Sequence, residues 1–177
     1  MPSDLPSFAE SRALAETLLA DHLPERWRRA QAIAREAVRL AGLPEVDREP
    51  LIHAAVLLDV GRSPVAARTG FPSLDAARFL RARRYPDRLL ALVAHQLASG
   101  VEAEVAGLDL GGLTDEESAT RDTLWWCALV ADAGAAPLVS GPDGRTDTDG
   151  RRRDATRAAV ARTRSRIDAV GLAVAAS

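Results

Sequence analysis

The sequence predicts an all-α fold, a bundle of about six to seven helices in one domain that spans residues 1–177. Hydrophobic residues make up 47% of the chain but aromatic residues only 4%, so the core must consist mainly of Ala, Leu and Val. Ala and Leu are strong helix formers and poor strand formers. Apolar residues recur at helical spacing, and no segment alternates with a period of two. An N-terminal helix within residues 1–22 is the only segment that can be an appendage.

Three helices are predicted in the first third of the chain, from capping residues or prolines at their starts and small residues at their ends. They are expected to run from Ser7 to about Ala20, from Pro24 to near Gly42, and from Asp47 to Gly61. The first opens with a capping box, in which Ser7 and Glu10 satisfy each other's backbone N–H groups. The third is apolar on nearly every side over residues 51–60, which places it at the centre of the bundle.

Four further helices are predicted from the same kinds of signal. They begin with Ser73 as a cap, with Pro86, with a second capping box at residues 114–117, and at about Arg153. The sixth helix ends near Ala133 and the last near Val170. Residues 140–150, rich in Gly, Asp and Thr, are interpreted as a flexible loop between them.

Charge and hydropathy exclude several classes of protein. The formal net charge is −2, whereas nucleic-acid-binding domains usually carry a basic surface, so we expect no nucleic-acid partner. All 23 basic residues are arginines, which together with the alanine content is typical of a GC-rich bacterium. The N-terminus lacks the pattern of a signal peptide, and no apolar run is long enough to cross a bilayer. We therefore expect a cytoplasmic protein with no membrane partner.

Three predicted helices each end a long apolar run with a side chain that can bind a cation. These residues are Asp59, His95 and Asp132. A carboxylate near a helix C-terminus faces the negative end of the helix dipole, at a cost of roughly 0.3–1 kcal/mol, and burial adds a desolvation cost. Two such aspartates indicate a shared cation, either a metal ion or an arginine. The alternative is that both lie at a solvent-exposed mouth and cap nearby loops.

Six short phrases carry a further signal through their order and spacing: LPERW at 23–27, AAVLLDVG at 54–61, TGF at 69–71, LDAARFL at 74–80, LVAH at 92–95 and GPDG at 141–144. Together they resemble the HD-domain superfamily, and more closely a bacterial branch of small HD proteins, over about residues 23–170. The resemblance implies a helical bundle and metal-dependent phosphohydrolase ancestry. In such enzymes a divalent ion lowers the pKa of a bound water and polarises a phosphate ester.

The resemblance also implies a set of four metal ligands, of which this chain keeps two. The family's histidine on the second helix falls on Arg29, and the histidine of its His-Asp pair falls on Leu58. The aspartate of that pair is kept as Asp59, and the later aspartate is kept as Asp132. An arginine stays positively charged at any relevant pH. We therefore hypothesise that Arg29 takes the electrostatic role of the metal and pairs with Asp59, Asp132 or both.

Other histidine positions of the family are also altered. His95 matches a histidine that commonly lines the pocket, but Gln96 stands where a second histidine often follows. A further family histidine falls on Pro72. His53 lies six residues before Asp59 and so faces another direction on a helix, and we interpret it as a core or surface histidine rather than a ligand.

The first functional hypothesis is a degenerate HD-domain protein that has lost phosphohydrolase activity and needs no cofactor. It keeps a vestigial pocket, with Arg29, Leu58 and Gln96 at the anion-binding side, for a small phosphorylated ligand or a regulatory contact. Self-association of the chain is compatible with this role.

Three alternatives remain open. The first is a weakly metal-dependent phosphohydrolase, in which Asp59, Asp132 and His95 hold a divalent ion and act on a nucleotide or a phosphorylated small molecule. The second is a metal-independent enzyme, in which Arg29 binds an anion and Asp59 or His95 serves as acid or base. The third is a purely structural helical protein with a filled pocket.

Overall fold

The computed structural model describes residues 5–99, 103, 107–109, 112–115, 117–133 and 147–172. Within these residues it contains seven α-helices and no strand, which confirms the predicted all-α class. The helices are α1 (Phe8–Leu19), α2 (Pro24–Leu40), α3 (Arg48–Leu57), α4 (Pro72–Arg81), α5 (Asp87–Ala94), α6 (Ala119–Ala133) and α7 (Asp147–Ala169). Short 3-10 turns follow α3 at Val60–Arg62 and α5 at Gln96–Ala98.

Helix α3 lies at the centre of the bundle, as its all-round apolar sequence predicts. Every residue from 51 to 57 is buried, and α1, α2, α5 and α6 all pack against this helix. In the part of the chain that the structure describes, the buried hydrophobic residues are mostly Ala and Leu. Small alanines at neighbouring positions, such as Ala54 and Ala55, let the surrounding helices approach α3 closely.

The first helix begins with the predicted capping box. The Ser7 side chain accepts a hydrogen bond from the Glu10 backbone N–H, and the Glu10 carboxylate accepts one from the Ser7 N–H at 2.7 Å. Helix α1 contributes Ala15, Leu18 and Leu19 to the main core.

Helix α2 ends at Leu40, near Gly42 as predicted, whereas α3 ends at Leu57 rather than at Gly61. After Leu57 the backbone tightens from α-helical to 3-10 bonding, with the Arg62 N–H donating to the Asp59 carbonyl at 3.0 Å. Asp59 therefore stands in the turn that follows α3.

Two predicted caps are wrong because other residues fix the first turn. Helix α4 begins at Pro72 with Phe71 as its N-cap residue, so Ser73 is buried inside the helix rather than capping it. Proline suits the first helical position because it has no N–H to satisfy. Helix α6 begins at Ala119, not in the predicted box at residues 114–117, and the Ser118 hydroxyl accepts from the Arg121 N–H at 3.1 Å.

The last helix starts earlier than predicted. Helix α7 begins at Asp147, so residues 147–150 of the predicted loop are helical, while residues 140–146 lie outside the described residues. The helix packs on α6, with Ala159 and Ile167 fully buried. Among the described residues, no helix combines the length and the hydrophobicity needed to cross a bilayer.

Candidate functional site

The two aspartates singled out by the sequence meet at α2. Asp59 lies in the turn after α3 and is 2% exposed, and Asp132 lies one residue before the C-terminal end of α6. Helix α2 packs against both α3 and α6. It places Arg29, which is 9% exposed, between the two carboxylates.

The Arg29 guanidinium binds both carboxylates at once. Its Nε and Nη2 atoms donate to the two carboxylate oxygens of Asp132, at 2.5 and 3.0 Å. Its Nη1 atom donates to Asp59 Oδ2 at 2.9 Å. This is the paired arrangement that planar guanidinium favours with carboxylates. All three nitrogens of the Arg29 side chain are therefore engaged.

Two further arginines surround Asp59, and the sequence analysis missed both. Arg62 donates from Nε to Asp59 Oδ1 at 3.2 Å, and the Arg26 Nη1 atom lies 4.0 Å from the same oxygen. Their spacing was the available signal, because Arg26 precedes Arg29 by one helical turn and Arg62 follows Asp59 by three residues. Three guanidinium groups thus face two carboxylates.

The surroundings of this cluster shift the pKa values of Arg29 and Arg26 in opposite directions. Burial alone would lower the pKa of Arg29, but the hydrogen bonds to Asp132 and the charges of Asp59 and Asp132 outweigh it and raise that pKa. For Arg26 burial prevails: the pKa is lowered, because the Asp59 charge only partly offsets desolvation and the nearby Arg62 and Arg29 oppose a further positive charge. Arg29 is thus firmly held as a cation, while the outer edge of the cluster has an excess of positive charge.

Leu58 and Gln96 border the site on the side of the protein interior. Leu58 is 1% exposed and belongs to the main hydrophobic core. The Gln96 side-chain amide donates to the Leu58 carbonyl at 2.9 Å and so ties the turn after α5 to the end of α3. Both residues stabilise the backbone around Asp59 in this structure.

His95 uses its ring in another contact. Its Nε2 atom lies 2.9 Å from the Leu113 carbonyl, so this nitrogen carries the proton and donates. The ring is buried, and its Nδ1 atom has no hydrogen-bond partner among the described residues. His95 is therefore hydrogen-bonded to the segment that precedes α6.

The site does not fit a divalent cation. Among the described residues, no three His, Cys, Asp or Glu side chains lie close enough together to hold a metal ion. The carboxylate oxygens of Asp59 and Asp132 both accept hydrogen bonds from the Arg29 guanidinium. A metal would need these oxygens, and Arg29 would have to leave before it could bind.

His53 and Pro72 are the two remaining positions that the sequence analysis considered in connection with histidine ligands, and both have structural roles. His53 is fully buried, and its Nδ1 atom lies 2.9 Å from the Ser11 hydroxyl, which in turn lies 3.0 Å from the Tyr85 hydroxyl. This agrees with its interpretation as a core histidine. Pro72 occupies the first position of α4.

A second buried ionic cluster, which the sequence analysis also missed, joins α6 to α7. Asp122 is 1% exposed and accepts from Arg162 at 2.6 and 2.9 Å, from Arg121 at 3.3 Å and from Arg166 at 3.4 Å. Burial alone would raise the pKa of Asp122, but the hydrogen bonds and charges of Arg162 and Arg121 lower it overall. The carboxylate is therefore held in its ionised form.

Comparison with known proteins gives no relative from which a function can be transferred. No protein-family model, no curated protein and no solved structure matches this chain significantly.

Proposed function

We propose that this chain is a non-hydrolytic descendant of the HD-domain phosphohydrolases, in which the Arg29 guanidinium replaces the catalytic metal ion. One observation carries the proposal: Arg29 is buried and donates hydrogen bonds to both Asp59 and Asp132. These are the two positions at which the sequence retains the acidic ligands of that family. The replacement supplies the positive charge that both carboxylates need in a buried site.

A guanidinium cannot take over the chemistry of a metal in this position. It has no empty orbital to coordinate a water and so cannot generate a metal-bound hydroxide. Its five N–H donors can bind an oxyanion, but Nε and both Nη atoms of Arg29 already bind carboxylates. This occupancy also disfavours the metal-independent enzyme, which needs Arg29 to receive an anion.

The role that remains is binding or regulation. At the outer edge of the cluster, the Arg62 side chain is 42% exposed and the Arg26 side chain 20% exposed. Both face Asp59, which already has Arg29 as its partner, so positive charge exceeds negative charge there. This excess supports a small phosphorylated ligand as the binding partner, because phosphate oxygens accept strong hydrogen bonds from guanidinium.

The proposal is tested by metal content and phosphatase activity. The wild type and an Arg29→His/Leu58→His double variant are each incubated with Mn²⁺, freed of unbound ion, and assayed on a panel of phosphate monoesters and nucleotides. We expect no retained metal and no turnover for the wild type. We expect the double variant to retain metal, because it restores two imidazoles beside two freed carboxylates.

The matched control is Arg28→His, which places a histidine at the neighbouring, exposed position of α2. This variant should retain no metal. Since Leu58 is buried, Arg29→His alone is also measured, and circular dichroism establishes which variants are folded. Stoichiometric metal in the wild type, together with chelator-sensitive turnover, would refute the proposal.

A further inference from the structure

The two halves of helix α1 are attached to the bundle in different ways. The second half contributes three buried apolar side chains to the main core: Ala15, Leu18 and Leu19. In the first half, residues 8–14, which the structure describes completely, Ser11 is the only residue in the buried class, while Phe8 is partly buried. The first half therefore depends on a polar side chain where the second half uses apolar ones.

Ser11 connects three elements of the bundle through its hydroxyl group. Its Oγ atom lies 2.9 Å from Nδ1 of His53 on α3 and 3.0 Å from the hydroxyl of Tyr85, in the turn between α4 and α5. These three buried side chains form the Ser11–His53–Tyr85 network. The Phe8 ring meets the His53 ring edge-on, with 5.7 Å between the ring centres. Ser11 and Phe8 are thus both in contact with one histidine.

The surroundings of His53 decide the direction of the hydrogen bonds in this network. Its Nε2 atom lies 3.6 Å from the Glu49 carboxylate, which favours a proton on this nitrogen. The Nδ1 atom of the neutral ring then accepts from the Ser11 hydroxyl, and Ser11 Oγ accepts from the Tyr85 hydroxyl. In this arrangement both hydroxyl protons have an acceptor.

A second proton on the His53 ring is incompatible with this arrangement. Nδ1 becomes a donor that faces Ser11 Oγ, so the Ser11 hydroxyl has to turn and donate to Tyr85. The Tyr85 hydroxyl then needs a new acceptor, but Ser11 is its only hydrogen-bond partner among the described residues. The buried ring also acquires a charge that is shielded from water. Protonation therefore weakens the attachment of Ser11 to α3.

Only one charged group offsets the charge of a protonated His53 ring within the described residues. This group is Glu49, one turn earlier on α3, and its side chain is 54% exposed. The other elements in contact with the ring present Ser11, Phe8 and Tyr85, which are uncharged between pH 5 and 8. Burial lowers the pKa of His53, and Glu49 offsets this effect only in part. Release of α1 would let water reach the ring and so favour its protonation.

We propose that the Ser11–His53–Tyr85 network is an acid-sensitive switch, in which protonation of His53 releases the first half of α1 from α3. The release is local, because the core residues of the second half hold the rest of the helix. Phe8 also lines a groove of about 340 Å³ between α1 and α2, and buried Val56 lies on the α3 side of this groove. Release of Phe8 would widen the groove. The proposal does not depend on the function assigned to the Arg29 cluster.

Hydrogen exchange of the full chain between pH 5 and 8 tests the proposal. The protection factor of each amide, which corrects for the pH dependence of exchange itself, is compared between residues 11–15 of α1 and residues 52–57 of α3. The released ring has an ordinary pKa of about 6.5, above that of the buried ring. Protection of α1 should therefore be full above pH 6.5 and fall by up to about tenfold per pH unit below it.

The comparison of the two helices separates local release from global unfolding. Global unfolding exposes the amides of α1 and α3 together, whereas local release exposes only those of α1. We expect the α1 amides at pH 5 to be at least about tenfold less protected than the α3 amides.

Three variants identify the groups responsible. His53→Gln removes the titrating ring, so α1 protection should be the same at pH 8 and pH 5. Glu49→Gln keeps the histidine, so the loss of protection in acid should remain. Ser11→Ala removes both hydrogen bonds of the hydroxyl and should lower α1 protection at pH 8 at least about tenfold, and more than it lowers α3 protection. Thr17→Ala removes an exposed hydroxyl of α1 and is the matched control, which should behave like the wild type.

The proposal is overturned by constant α1 protection across the pH range, or by equal protection of α1 and α3 in acid. Acid-induced release that is unchanged in a folded His53→Gln protein would rule out His53 as its origin. Loss of the pH dependence in Glu49→Gln would show that the Glu49 carboxylate is the titrating group. Circular dichroism establishes which variants are folded, and the exposed position of Glu49 keeps this last comparison decisive if His53→Gln does not fold.

Discussion

Arg29 and Asp132 form a two-bond ion pair that joins α2 to the end of α6, with Nε to Oδ1 at 2.5 Å and Nη2 to Oδ2 at 3.0 Å. The third nitrogen of the same guanidinium reaches Asp59 after α3. One side chain thus connects three elements of the bundle. A buried arginine of this kind stabilises the fold mainly by preventing two carboxylates from being left without a cation.

Removing Arg29 is expected to destabilise the protein strongly. In Arg29→Gln the Asp59 carboxylate, buried at 2% exposure, loses its shortest contact and Asp132 loses both of its bonds to Arg29. We expect a loss of about 3 kcal/mol in the free energy of unfolding. The Asp132 side chain is 32% exposed, so solvent moderates the loss. Urea denaturation measures the change.

Arg28→Gln is the matched control, because among the described residues Arg28 pairs with Glu25 alone, on the exposed side of the same helix. Exposed pairs contribute little, and the expected change is below about 0.5 kcal/mol. An Arg29→Gln protein as stable as this control would contradict the assignment of Arg29 as the cation of the site.

The stability of the fold should fall in mild acid because of His53. Burial lowers the pKa of His53, although the Glu49 carboxylate, 3.6 Å from Nε2, acts in the opposite direction. Below the unfolded pKa of about 6.5 the unfolded chain binds a proton before the folded one does. Stability is therefore full above pH 6.5 and declines as pH falls toward the folded pKa, by at most about 1.4 kcal/mol per pH unit.

Urea denaturation at a series of pH values between 5 and 8 measures this dependence. His53→Gln removes the titrating ring and should flatten the profile over that range. His22→Gln is the control, because His22 is exposed and should leave the profile unchanged. A decline in stability that persists in folded His53→Gln would assign it to another group.

Gly61 should tolerate no side chain. A Cβ atom at this position would lie against the Pro72 carbonyl oxygen and within 2.5 Å of the Ala76 backbone nitrogen, in the first turns of α4. Backbone atoms cannot move aside as a flexible side chain can, so we expect Gly61→Ala to cost about 3 kcal/mol of stability. Gly42→Ala is the control, since its Cβ would meet nothing within 4 Å. Equal melting temperatures for the two variants would contradict this packing.

Helix α7 should loosen when Asp122 loses its charge. Asp122→Asn leaves Arg162 and Arg166 without their shared carboxylate, and we expect a loss of about 3 kcal/mol. Hydrogen exchange of the α7 amides should increase more than exchange of the α3 amides. Asp154→Asn alters an exposed pair with Arg157 and should leave both unchanged. Uniform acceleration across the protein would show that this cluster does not hold α7 specifically.

Several features follow from the sequence because local rules decide them. The alanine and leucine content predicts the helical class, the Ser7 and Glu10 pair predicts the start of α1, and the unbroken apolar run predicts that α3 is central. These features depend on contacts within one turn or on hydrophobicity alone. The two aspartates at the ends of apolar helices indicated a shared cation, and the resemblance to a known family then indicated Arg29 as that cation.

Tertiary structure decided where α3 ends and which partners the buried charges have, because the contacts involved join residues far apart in the chain. Helix α3 ends at Leu57, with the following turn close to Pro72 and Ala76 around Gly61. Whether Arg29 binds one aspartate or both depends on how α2 packs against α3 and α6. The positions of Arg62 beside Asp59 and of Arg121 beside Asp122 depend on similar packing. Sequence specifies which charges must find partners, and only the packed helices decide which partners they find.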